Sequence, residues 1–246
     1  MAGGRVNTLW QVDGLVVKCY RADGESPLFP NRPETEMAAL MALGPKGLAP
    51  KLRAAGPDWI VYDLLPGQLW SGDVQSAAQA LRRIHAMPAP AGFRQMPIGS
   101  AEILHQGAKI AAACKGQLPP PPPDMGVAGG PLHLVHGDAV PGNMIEQNGT
   151  VTLIDWQCPG LGDPVDDLAA FLSPAMQYLY GGHRLAREER TEFLAAFPQD
   201  LAARYRLLAP ALHWRIAAHC LWRAERGAND YRTALARELE SLGTLA

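Results

Sequence analysis

The chain has 246 residues, 48% of them apolar and 19% charged, with a formal net charge of −2. This is length enough for one large domain or two small ones around a substantial core. The near-neutral charge gives no electrostatic case for nucleic acid or an anionic membrane as partner. The opening residues lack the apolar stretch of a signal peptide, no run approaches membrane-spanning length, and Cys19, Cys114, Cys158 and Cys220 form no CxxC pair. The expectation is a cytoplasmic protein without disulfides or a thiolate zinc site.

In chain order, VNTLWQV (6–12) alternates polar and apolar residues, Asp13-Gly14 is a hairpin signal, and LVVKCY (15–20) is the partner strand. A loop, RADGESPLFPN, leads to PETEMAALMALG, which carries helix marks: Pro33 and two acids at its start, Gly44 at its end. KLRAAG (51–56) and WIVYDLL (59–65) read as two further strands, and Pro66-Gly67 breaks the pattern.

Beyond that break the chain turns helical. Ser71 is the expected N-cap of a helix through Ala86, and Ser100 that of a second helix to about Cys114. LPPPPPD reads as a stiff polyproline spacer. PLHLVHGD and VTLIDW are the strand-like pieces of this half, and helices resume near Asp163. His213 and His219 project from different faces of one helix, which speaks against a shared metal. The fold class is therefore α+β. A small antiparallel-sheet lobe, residues 1–66, precedes a larger helical lobe, residues 67–246, with a cleft between them as the natural ligand site.

The chemistry concentrates in LVHGDAVPGNMIEQNGTVTLIDWQ, residues 134–157. Asp and Asn are common turn formers, so each polar residue here, taken singly, reads as turn chemistry. Their combination points elsewhere. Gly137 allows a tight turn before Asp138, Pro141-Gly142 keeps the loop from becoming helix, and Asn148-Gly149 makes a hairpin that carries Asp155 back beside Asp138 and Asn143. Two carboxylates and an amide oxygen gathered in this way suit Mg2+, which takes few protein ligands and completes its shell with phosphate and water. A carboxylate left off the metal can take a proton from a hydroxyl nucleophile.

With a base Asp, an Asn five residues on and a second Asp on the following strand, the pattern is that of a kinase catalytic loop. Through HGDAVPGN (136–143), LIDW (153–156) and GDPVDDLA (162–169) the chain resembles the family of aminoglycoside phosphotransferases and choline kinases. The resemblance implies a two-lobed protein-kinase-like fold, with ATP and Mg2+ as cofactors and a small hydroxyl compound as the only partner. It makes Asp138 the catalytic base and Asn143 and Asp155 the metal ligands. Lys18 becomes the phosphate-binding lysine, paired with Glu36 or, failing that, Glu34. Gly4 and Asn7 fall in a phosphate-covering loop before which the family's first strand is missing, and the backbone around Asp63, Leu64 and Leu65 forms the adenine hinge. His136, Asp163 and Asp167 brace the catalytic loop, Asp163 as N-cap of the helix after it.

Trp156-Gln157 stands where a protein kinase has Phe-Gly, only seven residues separate Asp155 from Asp163, and no Ala-Pro-Glu follows. These departures exclude a regulated protein kinase and leave a small-molecule kinase. For the acceptor, Trp156, Tyr178, Tyr180, Trp214 and Trp222 are candidate aromatic contacts, and Asp163, Asp166 and Asp167 add acidity favouring a cationic amino alcohol or aminoglycoside-like compound. The Trp214–Trp222 spacing fits a helix face turned to the core equally well. The rival readings are a nucleotide-binding pseudokinase or scaffold, motivated by the missing strand, and a metal-dependent phosphoesterase, for which the histidines show no cluster.

Overall fold

The computed structural model describes residues 6–88, 92–181 and 184–245. Strands β1 (Thr8–Val12) and β2 (Leu15–Cys19) pair antiparallel about Asp13 and Gly14. Both turn residues are left-handed, at φ 48° and 77°, as a type I′ hairpin requires. With β3 (Leu52–Ala55) and β4 (Trp59–Asp63) they form one antiparallel sheet in the order β1-β2-β4-β3. Helix α1 (Pro33–Leu43) packs on β3 and β4 through buried Ala39, Leu40 and Leu43. Alternation along β2 and β4 puts Val16, Lys18, Ile60 and Tyr62 on the covered face. A lysine on that face must find charged partners.

The second lobe holds α2 (Val74–His85), α3 (Gly99–Ala112), α4 (Val165–Leu172), the short α5 (Pro174–Met176), α6 (Arg187–Ala195), α7 (Gln199–Glu225) and α8 (Asp230–Leu245), with a π-helical turn at Gln177–Gly181. Helix α7 is its spine, packing on α3, α4 and α8. Among the described residues no helix is long and apolar enough to cross a membrane.

Two helix starts differ from expectation. Asp73, not Ser71, caps α2, its side chain accepting from the Gln75 N–H at 3.0 Å. Helix α3 starts at Gly99, and Ser100 lies inside its first turn. Its hydroxyl donates to Asp124 and accepts from the Val127 N–H at 2.9 Å. Ser100 thus fastens the chain that leaves the polyproline spacer instead of capping the helix. The spacer itself lies along α7, where the Trp214 indole donates to the Pro119 carbonyl at 3.0 Å.

Two connections had no clear sequence signal. Strand β5 (Gln68–Leu69), just past the Pro66-Gly67 break, pairs with β7 (Met144–Gln147), which in turn pairs with β8 (Thr150–Leu153). Gly67, at φ 120°, lets the two backbones meet: a Cβ there would lie 2.3 Å from the Glu146 carbonyl oxygen. Strand β6 (His133–Val135) pairs with β9 (Gly160–Gly162), closing the base of the central loop. The 20–32 loop also straps the lobes together. Phe29 meets the His219 ring edge-on at 4.9 Å, and the Cys158 thiol donates to the Pro30 carbonyl at 3.2 Å.

Candidate active site

The hairpin turn at Asn148-Gly149 is left-handed at both residues (φ 51° and 74°). It pairs Met144 with Leu153 and brings the end of β8 back to the loop before β7. The Ile154 N–H donates to the Asn143 carbonyl at 2.9 Å, so Asp155 emerges beside Asn143. Asp155 is a non-glycine residue at φ 63°, a left-handed conformation that costs about 1–2 kcal/mol and persists when the surroundings enforce it. The turn aims its carboxylate back into the cluster. The Asn143 amide nitrogen donates to the Asp138 carbonyl (2.9 Å) and carboxylate (3.1 Å). That assignment turns the amide oxygen away from Asp138. Asp138, Asn143 and Asp155 thus meet in one cluster.

Burial, and after it the nearby Asp155 charge, push the Asp138 carboxyl up to about 7, against the pull of the Asn143 hydrogen bond. Lys18, 2% exposed, joins the cluster from β2. Its ammonium donates to Glu36 Oε2 at 2.5 Å, to Asp155 and to Gln157 Oε1 at 3.0 Å. Burial opposes its charge, but the Asp155 and Glu36 carboxylates outweigh that and hold the ammonium above its usual range. Of the two acids considered for Lys18, Glu36 is the partner; Glu34 is exposed. Glu36 does more than pair: it accepts from the Tyr20 hydroxyl at 2.5 Å and from the Trp156 N–H at 3.1 Å, tying α1 to the segment after Asp155.

Beneath the loop, Asp167 on α4 accepts from the N–H groups of His136 (2.9 Å) and Gly137 (2.8 Å) and from His85 Nε2 (2.9 Å). Burial alone would raise this carboxyl, but the His85 hydrogen bond and the accompanying donors draw it below its ordinary value. His136 sits fully buried with Nε2 on the Ile154 carbonyl (3.0 Å) and Nδ1 accepting from the Asp138 N–H (3.3 Å). That hydrogen-bond pattern defines its neutral Nε2–H tautomer. Asp163 accepts from the Val165 N–H at 3.2 Å and pairs with Arg204 at 2.5 Å. It is not the expected N-cap of α4: Pro164 holds that position, and Asp163 precedes it, its side chain reaching only the first helical N–H.

Other expected site residues sit differently. Asn7, 6% exposed, donates to Gln157 Oε1 (2.9 Å) and Asn31 (2.7 Å), which makes it a brace for the segment after Asp155. Gly4 lies outside the described residues. The Asp63 N–H is taken by the Lys51 carbonyl (3.0 Å), its carboxylate by Arg53 (2.5 Å), and the Leu64 N–H by the Gly14 carbonyl (2.9 Å). Among the described residues the Leu65 N–H has no protein acceptor.

The aromatic candidates do not form a cage. Trp156 is fully buried, packs edge-on against His136 at 4.5 Å and donates to the Leu153 carbonyl. Trp214 is held by the polyproline spacer, Trp222 stacks with His219 and carries Arg226 over its face at 4.1 Å, and Tyr178 carries Arg237 at 4.3 Å. Tyr180 instead lies against the catalytic loop, 3.2 Å from where a Cβ on Gly142 would be. The three acids expected to make the entrance negative are buried and paired, Asp163 with Arg204, Asp166 with Arg215 and Asp167 with His85. Asp163 and Asp166 are each matched by an arginine and Asp167 is consumed by its hydrogen bonds, so they give no support to a cationic acceptor.

Gln157 and His85 are the contributors that sequence reading missed. Gln157 follows the Asp155 motif directly and could have been read as its extension. His85 lies 82 residues from its partner Asp167, and no local pattern joins them.

A family model described as the phosphotransferase enzyme family matches residues 2–211. No curated protein sequence matches significantly. Among solved structures the chain is similar to a choline/ethanolamine kinase family protein from Mesorhizobium loti, at 16% identity and a TM-score of 0.68 over 99% of this chain and 86% of that one. It is similar also to a choline kinase of Streptococcus pneumoniae, at 19% and 0.68 over 98% and 92%. A macrolide 2'-phosphotransferase from Brachybacterium faecium gives 19% and 0.58 over 94% and 87%. These likenesses share the two-lobed protein-kinase-like fold.

Proposed function

The chain belongs to the phosphotransferase enzyme family, whose members are small-molecule kinases, and from that membership we propose that it transfers the γ-phosphoryl group of ATP, with Mg2+, to the hydroxyl of a small molecule. The observation that carries the reading is the meeting of Asp138, Asn143 and Asp155 with the buried Lys18–Glu36 pair. The donor set fits magnesium. The Asn143 amide oxygen is turned from Asp138, and Asp155, a third exposed, has one carboxylate oxygen on Lys18 and the other available. Hard oxygens of this kind, few in number, are what the ion takes from protein. When bound, it would supply charge neutralisation at the phosphates.

The chain's own residues then divide the work. Lys18 moves its ammonium from Asp155 to the phosphate oxygens while Glu36 keeps it oriented. Asp138 accepts the proton of the acceptor hydroxyl as the oxygen bonds to the γ-phosphorus and the bridging β–γ oxygen leaves with ADP. Asp167 and His136 hold the loop that carries Asp138, so catalysis rests on positioning and on charge already in place. The Leu65 amide, at the lobe junction, is the donor we assign to adenine.

Incubation with Mg-ATP and a metabolite pool, read by mass spectrometry, should yield a phosphorylated product. Asp138→Asn should reduce its formation about 10²–10⁴-fold while Mg-ATP binding survives. Full activity in Asp138→Asn would reject the base. Tight Mg-ATP binding with no product from any pool would favour the scaffold reading.

A further inference from the structure

Arg94 stands out for what it lacks. It is partly buried beside the segment that follows Asp155, yet among the described residues no carboxylate lies in ion-pair range of it. Among the described residues its guanidinium makes one hydrogen bond, a long one of 3.4 Å from Nη2 to the Cys158 carbonyl, and its Nε is buried without a partner. That Cys158 oxygen touches the loop itself, lying 2.3 Å from where a Cβ on Gly137 would be. The guanidinium is therefore one carbonyl away from the residue preceding Asp138.

Its surroundings are positive. Arg215 and Arg32 are within electrostatic reach, and the nearby acid, Asp166, is held by Arg215. Arg215 Nε and Asp166 Oδ2 are also buried without partners. Two guanidiniums and one carboxylate leave an excess of positive charge with open hydrogen-bonding positions, and burial draws Arg94 below its ordinary pKa range. Buried polar groups are ordinarily satisfied, and an arginine's planar fork is matched by a carboxylate or phosphate.

Beside this cluster is a cavity of about 670 Å³, within the range of small-molecule sites. Its lining includes Gln95, the neighbour of Arg94, and Gln106, to which Arg215 donates at 3.0 Å. Its wall carries Lys109 and His105 against a single acid, Glu102, whose carboxylate accepts from the Ile98 N–H at 3.0 Å.

Building on the kinase reading, we propose that the acceptor is an anionic alcohol, a hydroxyl compound bearing a carboxylate or phosphate group, and that Arg94 binds this group while the hydroxyl faces Asp138. The bond made and broken is that of the phosphoryl transfer above; the anion is only held. The specificity is the reverse of that expected from an acidic entrance.

The test measures kcat/KM with Mg-ATP for hydroxy acids, sugar phosphates, and matched neutral and cationic alcohols, alongside slow ATP hydrolysis with water as acceptor. The expected result is product from an anionic class, with carboxylate and phosphate arms telling the two apart. Arg94→Gln should lower the preference for the anionic acceptor over its neutral analogue at least tenfold, and Arg94→Lys should restore part of it. A structural role would lower both acceptors equally and leave the ratio unmoved, which would overturn the proposal. So would product from neutral or cationic alcohols alone, or none from the anionic classes while Asp138-dependent ATP hydrolysis persists. That last pattern leaves the kinase reading standing. Absence of Asp138-dependent hydrolysis and of any product would remove both.

Discussion

At the scale of single residues, the site depends on a few side chains each doing two jobs. Glu36 orients Lys18 and also receives the Trp156 N–H. Removing its charge should therefore loosen both the lysine and the segment that carries Asp155. Hydrogen bonds to charged groups contribute about 1.5–3 kcal/mol, so Glu36→Gln should lower kcat/KM for ATP roughly 10–100-fold. Glu34→Gln, on the exposed face of the same helix, should leave it unchanged. Steady-state kinetics at varied ATP checks the pair, and equal losses would show that the lysine's partner is misassigned. Asp138, Asn143 and Asp155 were legible because their spacing is a local signature, and Lys18 through the family resemblance that this signature carries. Asn7 was misread as a phosphate-loop residue because its partners, Gln157 and Asn31, come from distant segments. Trp156 was misread for a similar reason: burial against His136 is a tertiary fact.

At the scale of elements, the catalytic loop is held by backbone approach as much as by side chains. Gly137 is at φ 76°, and a Cβ there would come within 2.3 Å of the Cys158 carbonyl oxygen. Gly149, in the hairpin turn, has nearly the same angle, φ 74°, but open space around it. Both positions carry the left-handed penalty for alanine, roughly 1–2 kcal/mol; only Gly137 adds a backbone clash. Gly149→Ala should lower stability by about that amount and retain activity. Gly137→Ala should cost more, at least ~2–3 kcal/mol by the scale of overpacking, with most activity gone. Urea denaturation with activity assays separates them, and similar stabilities would show that β9 and the loop yield easily. Both hairpins were readable from Asp-Gly and Asn-Gly, whereas β5 was not. Two residues after a glycine carry no periodicity, and their pairing partner lies beyond more than 70 residues of chain.

At the scale of the whole molecule, lobe contact carries a pH dependence. His219 of α7 is buried against Phe29 of the strap, with Trp222 and Tyr231 around it. Burial, aided by the Arg223 charge, lowers its pKa from 6.5 to about 3. Between those values the unfolded chain binds a proton that the folded one refuses. Stability therefore rises with pH across that window and is lost as the pH falls below about 6.5. The slope from this one group approaches ~1.4 kcal/mol per pH unit. His219→Phe should flatten the fall in Tm between pH 6.5 and 4.5, and thermal melts of both proteins across that range will show it. An unchanged slope would place the acid sensitivity elsewhere.

The sequence by itself determined the fold class, the two hairpins, the convergence of Asp138, Asn143 and Asp155, and the lysine that completes them. The hairpins and the convergence follow from turn chemistry, alternation or spacing within a short stretch, where local physics suffices, and the lysine follows from the family resemblance those motifs carry. Only the tertiary structure decided what surrounds those residues. It selected Glu36 over Glu34, placed His85 and Gln157 among the supports, and paired the three acids of GDPVDDLA with Arg204, Arg215 and His85. Among the described residues it also left Arg94 without an acid in ion-pair range. Charge complementarity is a property of neighbours in space. Residues that a linear reading counts as a negative entrance can be neutralised from helices far along the chain, and the net sign of a site emerges only when those helices pack.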